Sequence, residues 1–129
     1  MKHRLMRVIA PLLCLATITS ATMAYGQVTT SLSGTVTDTS GAVLPGADVV
    51  AKADDTGTTF TSVTNERGLF HIPGMQIGRY TVTLSLQGFK TVALSDIRLS
   101  TATAAEINVK LELGQLSETV TVKSGTEVV

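Results

Sequence analysis

The alternation of apolar and polar residues in short segments between glycine-marked turns is the feature that most constrains this fold. From Tyr80 to Leu86 every second residue is apolar, and the residues between them are polar. The same pattern runs from Ala105 to Leu113. A period of two predicts β-strands with one buried face and one solvated face. No long stretch has the period of a helix, so the chain is expected to be all-β.

Seven segments of this kind follow one another at roughly ten-residue spacing, which is typical of a β-sandwich. We predict a seven-stranded antiparallel Greek-key β-sandwich. The predicted strands cover residues 31–37, 47–53, 58–64, 69–72, 79–86, 89–94 and 105–113. Their alternation predicts a core of Leu32, Val36, Val49, Ala51, Phe70, Ile72, Tyr80, Val82, Leu84, Phe89, Ile107, Val109 and Leu111.

The stretch 65–74 combines two turns with a very short strand. Gly68 closes a tight turn where a positive φ is often required. Leu69, together with Phe70 or Ile72, is expected to fill the core. Pro73 should end the strand, because proline cannot donate to a ladder of hydrogen bonds. Residues 73–78 are therefore predicted to form a loop, and the whole stretch is interpreted as scaffold.

The N-terminus carries the pattern of a secretory signal peptide. A basic start precedes an apolar run from Val8 to Ile18, and Ala24-Tyr25-Gly26 provides the small residues of a cleavage site. That run is well short of the roughly 20 residues that span a bilayer. We predict cleavage after Gly26 and export to the periplasm or outer membrane; the alternative is an uncleaved anchor. Acylation at Cys14 is not expected, because Leu13 is too large for the preceding position.

Cleavage would leave 103 residues, which is one domain of 27–113 and an extended tail or linker of 114–129. Seven basic residues would then face ten acidic ones. The basic residues are scattered singly, so no nucleic-acid partner is expected. The only cysteine leaves with the signal peptide, so the exported chain would contain no internal disulfide.

Several short motifs, in order, resemble the carboxypeptidase regulatory-like domain over residues 31–113. This resemblance implies a transthyretin-like or prealbumin-like sandwich and a non-catalytic role. One departure is Ile77-Gly78, where the family commonly has Pro-Gly. The motifs are Gly34-x-Val36-x-Asp38, Gly41 followed by Leu44-Pro45-Gly46-Ala47-x-Val49, Thr64-Asn65-Glu66-x-Gly68-x-Phe70, Gly78-Arg79-Tyr80-x-Val82 and Gly88-Phe89.

Similar domains stand at the N-terminus of TonB-dependent outer-membrane receptors, and residues 111–122 resemble the junction in front of the receptor plug. Within this junction, a run of five residues is similar to a TonB box, which would add as an extra strand to the energy-transducing protein TonB. The run is Glu118, Thr119, Val120, Thr121 and Val122. Such a role requires an unpaired segment; the alternative is a plain terminal strand or linker. Any membrane contact would come through a barrel that this sequence lacks.

No catalytic or metal site is predicted. His71 is the single histidine outside the signal peptide and should face solvent or the sheet edge, opposite to Phe70. A zinc site needs three or four ligands and a hydrolytic triad needs a histidine beside its nucleophile, so neither is expected. No cofactor is expected either.

The alternatives are a carbohydrate-binding module of related fold, for which Phe60 is the one aromatic candidate, and a stand-alone adhesion or scaffold domain. The carbohydrate alternative would make a polysaccharide the partner.

Overall fold

The computed structural model describes residues 26–101, 104–115 and 117–123, and these form eight strands. Apart from Gly26, the predicted signal peptide lies outside the described residues. Within the described part of the chain, no helix has the length and apolar character needed to cross a membrane. The strands are β1 (Thr29–Asp38), β2 (Asp48–Ala53), β3 (Thr59–Val63), β4 (Leu69–Gln76), β5 (Gly78–Ser85), β6 (Thr91–Leu99), β7 (Ala105–Leu111) and β8 (Thr119–Lys123).

These strands form two sheets, with the orders β4-β1-β7 and β3-β2-β5-β6-β8. The predicted β-sandwich is confirmed, although it has eight strands rather than seven. Two pairs are parallel, β1 with β7 and β6 with β8, whereas the other four are antiparallel. Parallel neighbours require a crossover. The chain makes this crossover when it visits β7 in the smaller sheet before it returns to lie beside β6.

The core lies between the sheets and consists mainly of the residues that the alternation predicts. Along β5, Tyr80, Val82 and Leu84 are at most 1% exposed. The predicted core is confirmed except at Phe89 and Ile107, which are only partly buried at its margin. Ala47 is buried as well, in line with the alternation that predicts Ala47, Val49 and Ala51 to face inward. The core also contains residues outside the predicted set: Leu44, Ala53, Met75, Val92, Leu94, Ile97 and Leu99.

Strand β4 contradicts the prediction that Pro73 ends a strand and begins a loop. The pairing of β1 with β4 passes from Thr30↔Met75 to Leu32↔Ile72, so β4 carries one extra residue. This bulge contains Pro73 and Gly74, and Gly74 has φ 70°. Because β4 is an edge strand, a proline in a bulge removes no ladder hydrogen bond that the sheet needs. The bulge also returns Met75 to the core, where it is fully buried.

Strand β6 extends five residues beyond the predicted end at Leu94. Its pairing with β5 shifts between Tyr80↔Ile97 and Val82↔Leu94. Asp96 lies within this irregularity and has φ 59°, a value that asparagine and aspartate tolerate better than most residues. The extra residue reverses the alternation, so that Ile97 and Leu99 face the core.

The turn at 65–68 is held by local hydrogen bonds and close packing, which is a structural role. The Asn65 side-chain oxygen accepts hydrogen bonds from the amides of Arg67 and Leu69, at 2.9 and 3.1 Å. A Cβ on Gly68 would lie 2.6 Å from the carbonyl oxygen of Val36, and φ there is 72°. Leu69 is 42% exposed, so the expectation that it fills the core is wrong.

The residue before this turn, Thr64, is the one buried polar residue among those described. Its hydroxyl donates to the carbonyl oxygen of Leu44 at 2.6 Å and accepts from the amide of Ala47 at 2.9 Å. The side chain therefore ties the start of β2 to the end of β3.

Candidate interaction site

Strand β8 contains most of the segment that resembles a TonB box. Thr119 to Lys123 pair with Thr91 to Ser95 of β6 in parallel, and Glu118 directly precedes the strand. The expectation of an unpaired segment is therefore wrong, and the alternative of a terminal strand describes this part of the chain. The larger sheet continues past residue 113, the predicted end of the sandwich. No sequence signal identified the sheet edge that this strand would join.

The phase of the β6–β8 ladder fixes which main-chain groups of β8 remain free. The amide of Thr91 donates to the carbonyl oxygen of Glu118 at 2.9 Å. In a parallel ladder, alternate residues of a strand direct both main-chain groups to the same neighbour. Val120 and Val122 therefore direct their main-chain groups toward β6, whereas Thr119, Thr121 and Lys123 direct theirs outward. Among the described residues, no strand pairs with this outer edge.

Lys90 holds the segment that leads into β8. Its ammonium nitrogen lies 3.7 Å from a carboxylate oxygen of Glu112 and 3.4 Å from one of Glu118. Its amide donates to the carbonyl oxygen of Glu112 at 2.8 Å. The connecting chain passes so closely that a Cβ on Gly114 would clash with the Lys90 side chain. The carboxylates are more than half exposed, so each ion pair contributes less than about 1 kcal/mol. Lys90 thus orients the segment that leads into β8, but its ion pairs add little to the stability of the strand.

The inner face of β8 is only partly covered. Val120 and Val122 lie in register with the buried residues Val92 and Leu94 of β6. However, β8 is the fifth strand of its sheet and the opposite sheet has three, so Val120 remains 43% exposed. A groove of about 250 Å³ lies beside these valines. It is lined by Val92, Val120 and Val122 together with Thr39, Lys90, Lys110 and Glu112.

The four edge strands differ in how they are protected against pairing with another chain. The bulge interrupts β4, and β3 lies against it, with the Ser62 hydroxyl donating to the carbonyl oxygen of His71 at 3.3 Å. β7 presents Glu106 and Lys110. β8 has neither proline nor bulge, and Lys123 is its single charged residue. Charges, bulges and covering elements are the usual protection of an edge. β8 is therefore the least protected edge of the described chain.

Phe60, the one aromatic candidate for a carbohydrate platform, points toward the core. It pairs with the buried Ala51 in the β2–β3 register, and it packs against the core cluster. Its ring centroid lies 6.2 Å from that of Tyr80, with an angle of 60° between the planes. The ring is thus used for packing, and a role in carbohydrate binding stays a prediction.

His71 lies on the outer face of the smaller sheet, as predicted, beside an open groove of about 560 Å³. The strand register places Ser33 between His71 on β4 and Glu106 on β7. A hydrolytic triad needs the histidine between the nucleophile and the acid. Here the serine is central, and His71 and Glu106 are about 10 Å apart across two strand spacings. This row of residues does not match a triad. Within the described residues, no three potential metal ligands come together.

The profile of the family described as carboxypeptidase regulatory-like domain matches residues 31–112. The chain belongs to this family. Carboxypeptidase regulatory-like domains are non-catalytic domains of a regulatory type. The match begins within β1, includes β2 to β7 and ends before β8. No curated protein matches the chain.

Solved structures with the same fold come from diverse proteins. A cohesin–X-dockerin complex of Acetivibrio cellulolyticus is 24% identical with a TM-score of 0.52; the alignment covers 66% of this chain and 58% of that one. The Bacillus anthracis TIE protein is 20% identical with a TM-score of 0.54, covering 66% and 16%. BcpA, the major pilin subunit of Bacillus cereus, is 14% identical with a TM-score of 0.54, covering 67% and 30%.

Hydroxyquinol 1,2-dioxygenase of Pseudomonas putida also shares the fold, at 10% identity and a TM-score of 0.52, covering 70% and 58%. The regulatory-like domain therefore spans at most 58% of any of these four chains. Identities below 25% show a common fold and leave function to the residues of this chain.

Proposed function

We propose that this carboxypeptidase regulatory-like domain is an exported, non-catalytic interaction module. Its context would be the N-terminal extension, or a truncated N-terminal part, of a TonB-dependent outer-membrane receptor. In this role β8 is the contact strand, and its main chain pairs with an extended strand of TonB. The outer edge of β8, with which no described strand pairs, is the observation that carries the proposal.

Two features of β8 suit recognition of an extended strand. The outward main-chain groups of Thr119, Thr121 and Lys123 supply hydrogen bonds, which give such complexes much of their affinity. Lys90 and the β6 ladder hold these groups in an extended conformation before binding. A strand that is ordered in advance loses less conformational entropy on binding than a flexible tail does. The pairing of β8 with β6 therefore lowers the entropic cost of binding a partner strand at the outer edge.

The position of β8 in the chain also supports a connecting role. It follows the part of the sequence that matches the family profile. Residues 111–122 resemble the junction that precedes a receptor plug, and β8 lies at the end of that junction. The pilin and cohesin–dockerin proteins that share the fold are consistent with a module that contacts other proteins.

Binding to TonB tests the contact strand. The purified full chain is titrated with the periplasmic domain of TonB by calorimetry. In the Thr121→Pro variant an outward N–H is lost, and an edge strand tolerates proline at such a position. The matched control is Thr121→Val, which changes the side chain at the same position and keeps the N–H. Binding by the wild type and by Thr121→Val, with loss in Thr121→Pro, is the expected result.

Equal binding by all three proteins would exclude main-chain pairing at this edge, and no binding by the wild type would remove TonB as the partner. The receptor context has its own test, the DNA sequence after the codon for Val129. A reading frame that continues, or resumes after a frameshift, into plug and barrel sequence is expected. A stop codon followed by an unrelated gene would refute the receptor context and favour a stand-alone module.

A further inference from the structure

We propose that two copies of this chain pair through the outer edges of β8. The strands would run antiparallel and meet at Thr121, so that two five-stranded sheets join into one sheet of ten strands. This inference does not depend on the receptor context. It rests on the least protected edge of the described chain and on the residues that this edge presents.

The ladder phase selects the register. In an antiparallel pair, residues that exchange hydrogen bonds lie directly opposite one another. The outward residues of one β8 must therefore face the outward residues of the other. With Thr121 opposite Thr121 of the second copy, Thr119 faces Lys123 of the second copy, and the reverse pair is equivalent. All three outward residues then exchange main-chain hydrogen bonds across a two-fold axis, as an isologous interface requires.

The same register brings the exposed valines together. Val120 would face Val122 of the second copy in a pair without hydrogen bonds, where side chains are closest. Both valines lie on the inner face of β8, and Val120 is 43% exposed in the single chain. Pairing therefore covers apolar surface that the three-stranded sheet leaves open.

Lys123 favours the antiparallel direction for a pair of copies. It is the single charged residue of β8. In a parallel arrangement the two copies of Lys123 would lie beside each other and repel, whereas in the antiparallel register each Lys123 faces Thr119 of the other copy. The carboxylate of Glu118 remains with Lys90 and forms no ion pair across the interface.

The interface would be small, since each copy contributes five residues and one edge. Interfaces that bury less than about 1,200 Å² in total are typical of weak and transient complexes. We therefore expect a dimer that forms at high protein concentration and dissociates on dilution. It would use the edge that the proposed function assigns to TonB, so the two complexes should exclude each other.

Disulfide trapping tests the register. The experiment uses the full chain with Cys14→Ser, which removes its only native thiol. In the proposed register, the Cα atoms of the two Thr121 residues are about 5.5 Å apart, within the usual range for a disulfide. Thr121→Cys should therefore cross-link on mild oxidation.

The matched control is Thr119→Cys, whose two copies would be about 13 Å apart because four residues of strand separate them. It should not cross-link with itself, but it should cross-link with Lys123→Cys when the two proteins are mixed. Equal self-linking of Thr121→Cys and Thr119→Cys would overturn the register.

Sedimentation measures the association itself, over a series from roughly 10 µM to roughly 1 mM that spans weak binding. The wild type should shift from monomer to dimer across the series. Thr121→Pro should remain a monomer throughout, and Thr121→Val should behave as the wild type. A wild type that stays monomeric at the highest concentration would refute the proposal. So would a dimer that persists in folded Thr121→Pro.

Discussion

Gly34→Ala should destabilise the sandwich strongly, although alanine is normally the better residue in a folded element. Gly34 lies in β1, the central strand of the smaller sheet, and its α-carbon faces the core. An added Cβ would clash with the carbonyl oxygen of Ile107 and would lie 2.7 and 2.8 Å from two ring carbons of Phe70. Phe70 is 3% exposed, so its ring has little room to move.

The size of the destabilisation depends on which atoms clash with the added Cβ. Replacing glycine by alanine at an unstrained site stabilises by about 0.4–1 kcal/mol through the unfolded chain. Overpacking a core costs about 1–3 kcal/mol and occasionally more. The oxygen of Ile107 belongs to the main chain of the paired strand β7, so it cannot rotate away as a side chain does. We therefore expect a net loss of about 3 kcal/mol in the free energy of unfolding.

Urea denaturation followed by far-ultraviolet circular dichroism measures this loss. Ser33→Ala is the matched control, because Ser33 is the neighbouring residue on β1 and faces outward. Its effect should stay within about 0.5 kcal/mol. A Gly34→Ala protein as stable as the wild type would show that β1 and β7 are not as close as described.

Four further changes probe other parts of the structure. Tyr80→Ala should lower the free energy of unfolding by about 3 kcal/mol or more, as aromatic truncations in cores do, and a loss below about 1 kcal/mol in urea would contradict its burial. Thr64→Val should cost about 1–3 kcal/mol in the same assay, because it leaves two buried main-chain groups without their partner; an unchanged midpoint would refute that role. Hydrogen bonds from the Ser40 hydroxyl and from nearby amides hold the pKa of Asp38 below its usual value of 3.8. The wild type should therefore be more stable than Asp38→Asn above that pH, and this advantage should disappear as the pH falls through the lowered pKa. A stability difference that does not depend on pH would exclude this cause. Lys90→Met should speed amide exchange in β8 by less than about tenfold, since its ion pairs are partly exposed, and complete loss of protection would show that Lys90 holds the strand by itself.

The sequence predicts those strands correctly in which the alternation of apolar and polar residues runs without a bulge. Along β5 the alternation is unbroken, and the buried residues are those expected. Along β6 the bulge at Asp96 reverses the alternation, so a pattern of period two ended at Leu94 and missed Ile97. The sequence predicts a loop at Pro73 because proline interrupts central strands. That rule does not hold on an edge, and the sequence does not reveal which strands are edges.

The position of the candidate site in the sequence could be predicted, but its pairing with another strand could not. The resemblance to a TonB box draws attention to the segment from Glu118 to Val122, and the β-propensity of this segment is consistent with strand β8. Its partner strand, its direction and its ladder phase depend on where the chain returns after β7. The contact of Lys90 with Glu112 and Glu118 likewise joins residues that become neighbours only when β8 docks beside β6. No local pattern in the sequence encodes these contacts.

Hydrogen exchange at the β8 amides is the measurement that tests the central claim most directly, because both proposals require this strand to be docked with its outer edge free. The full chain is studied by nuclear magnetic resonance at a concentration low enough to keep it monomeric. The amides of Val120 and Val122 should exchange slowly, because they donate to β6, whereas the amide of Thr121 should exchange rapidly. Fast exchange at all three positions would show an undocked tail, and slow exchange at Thr121 alone would show the opposite ladder phase. Either of these results would contradict the account.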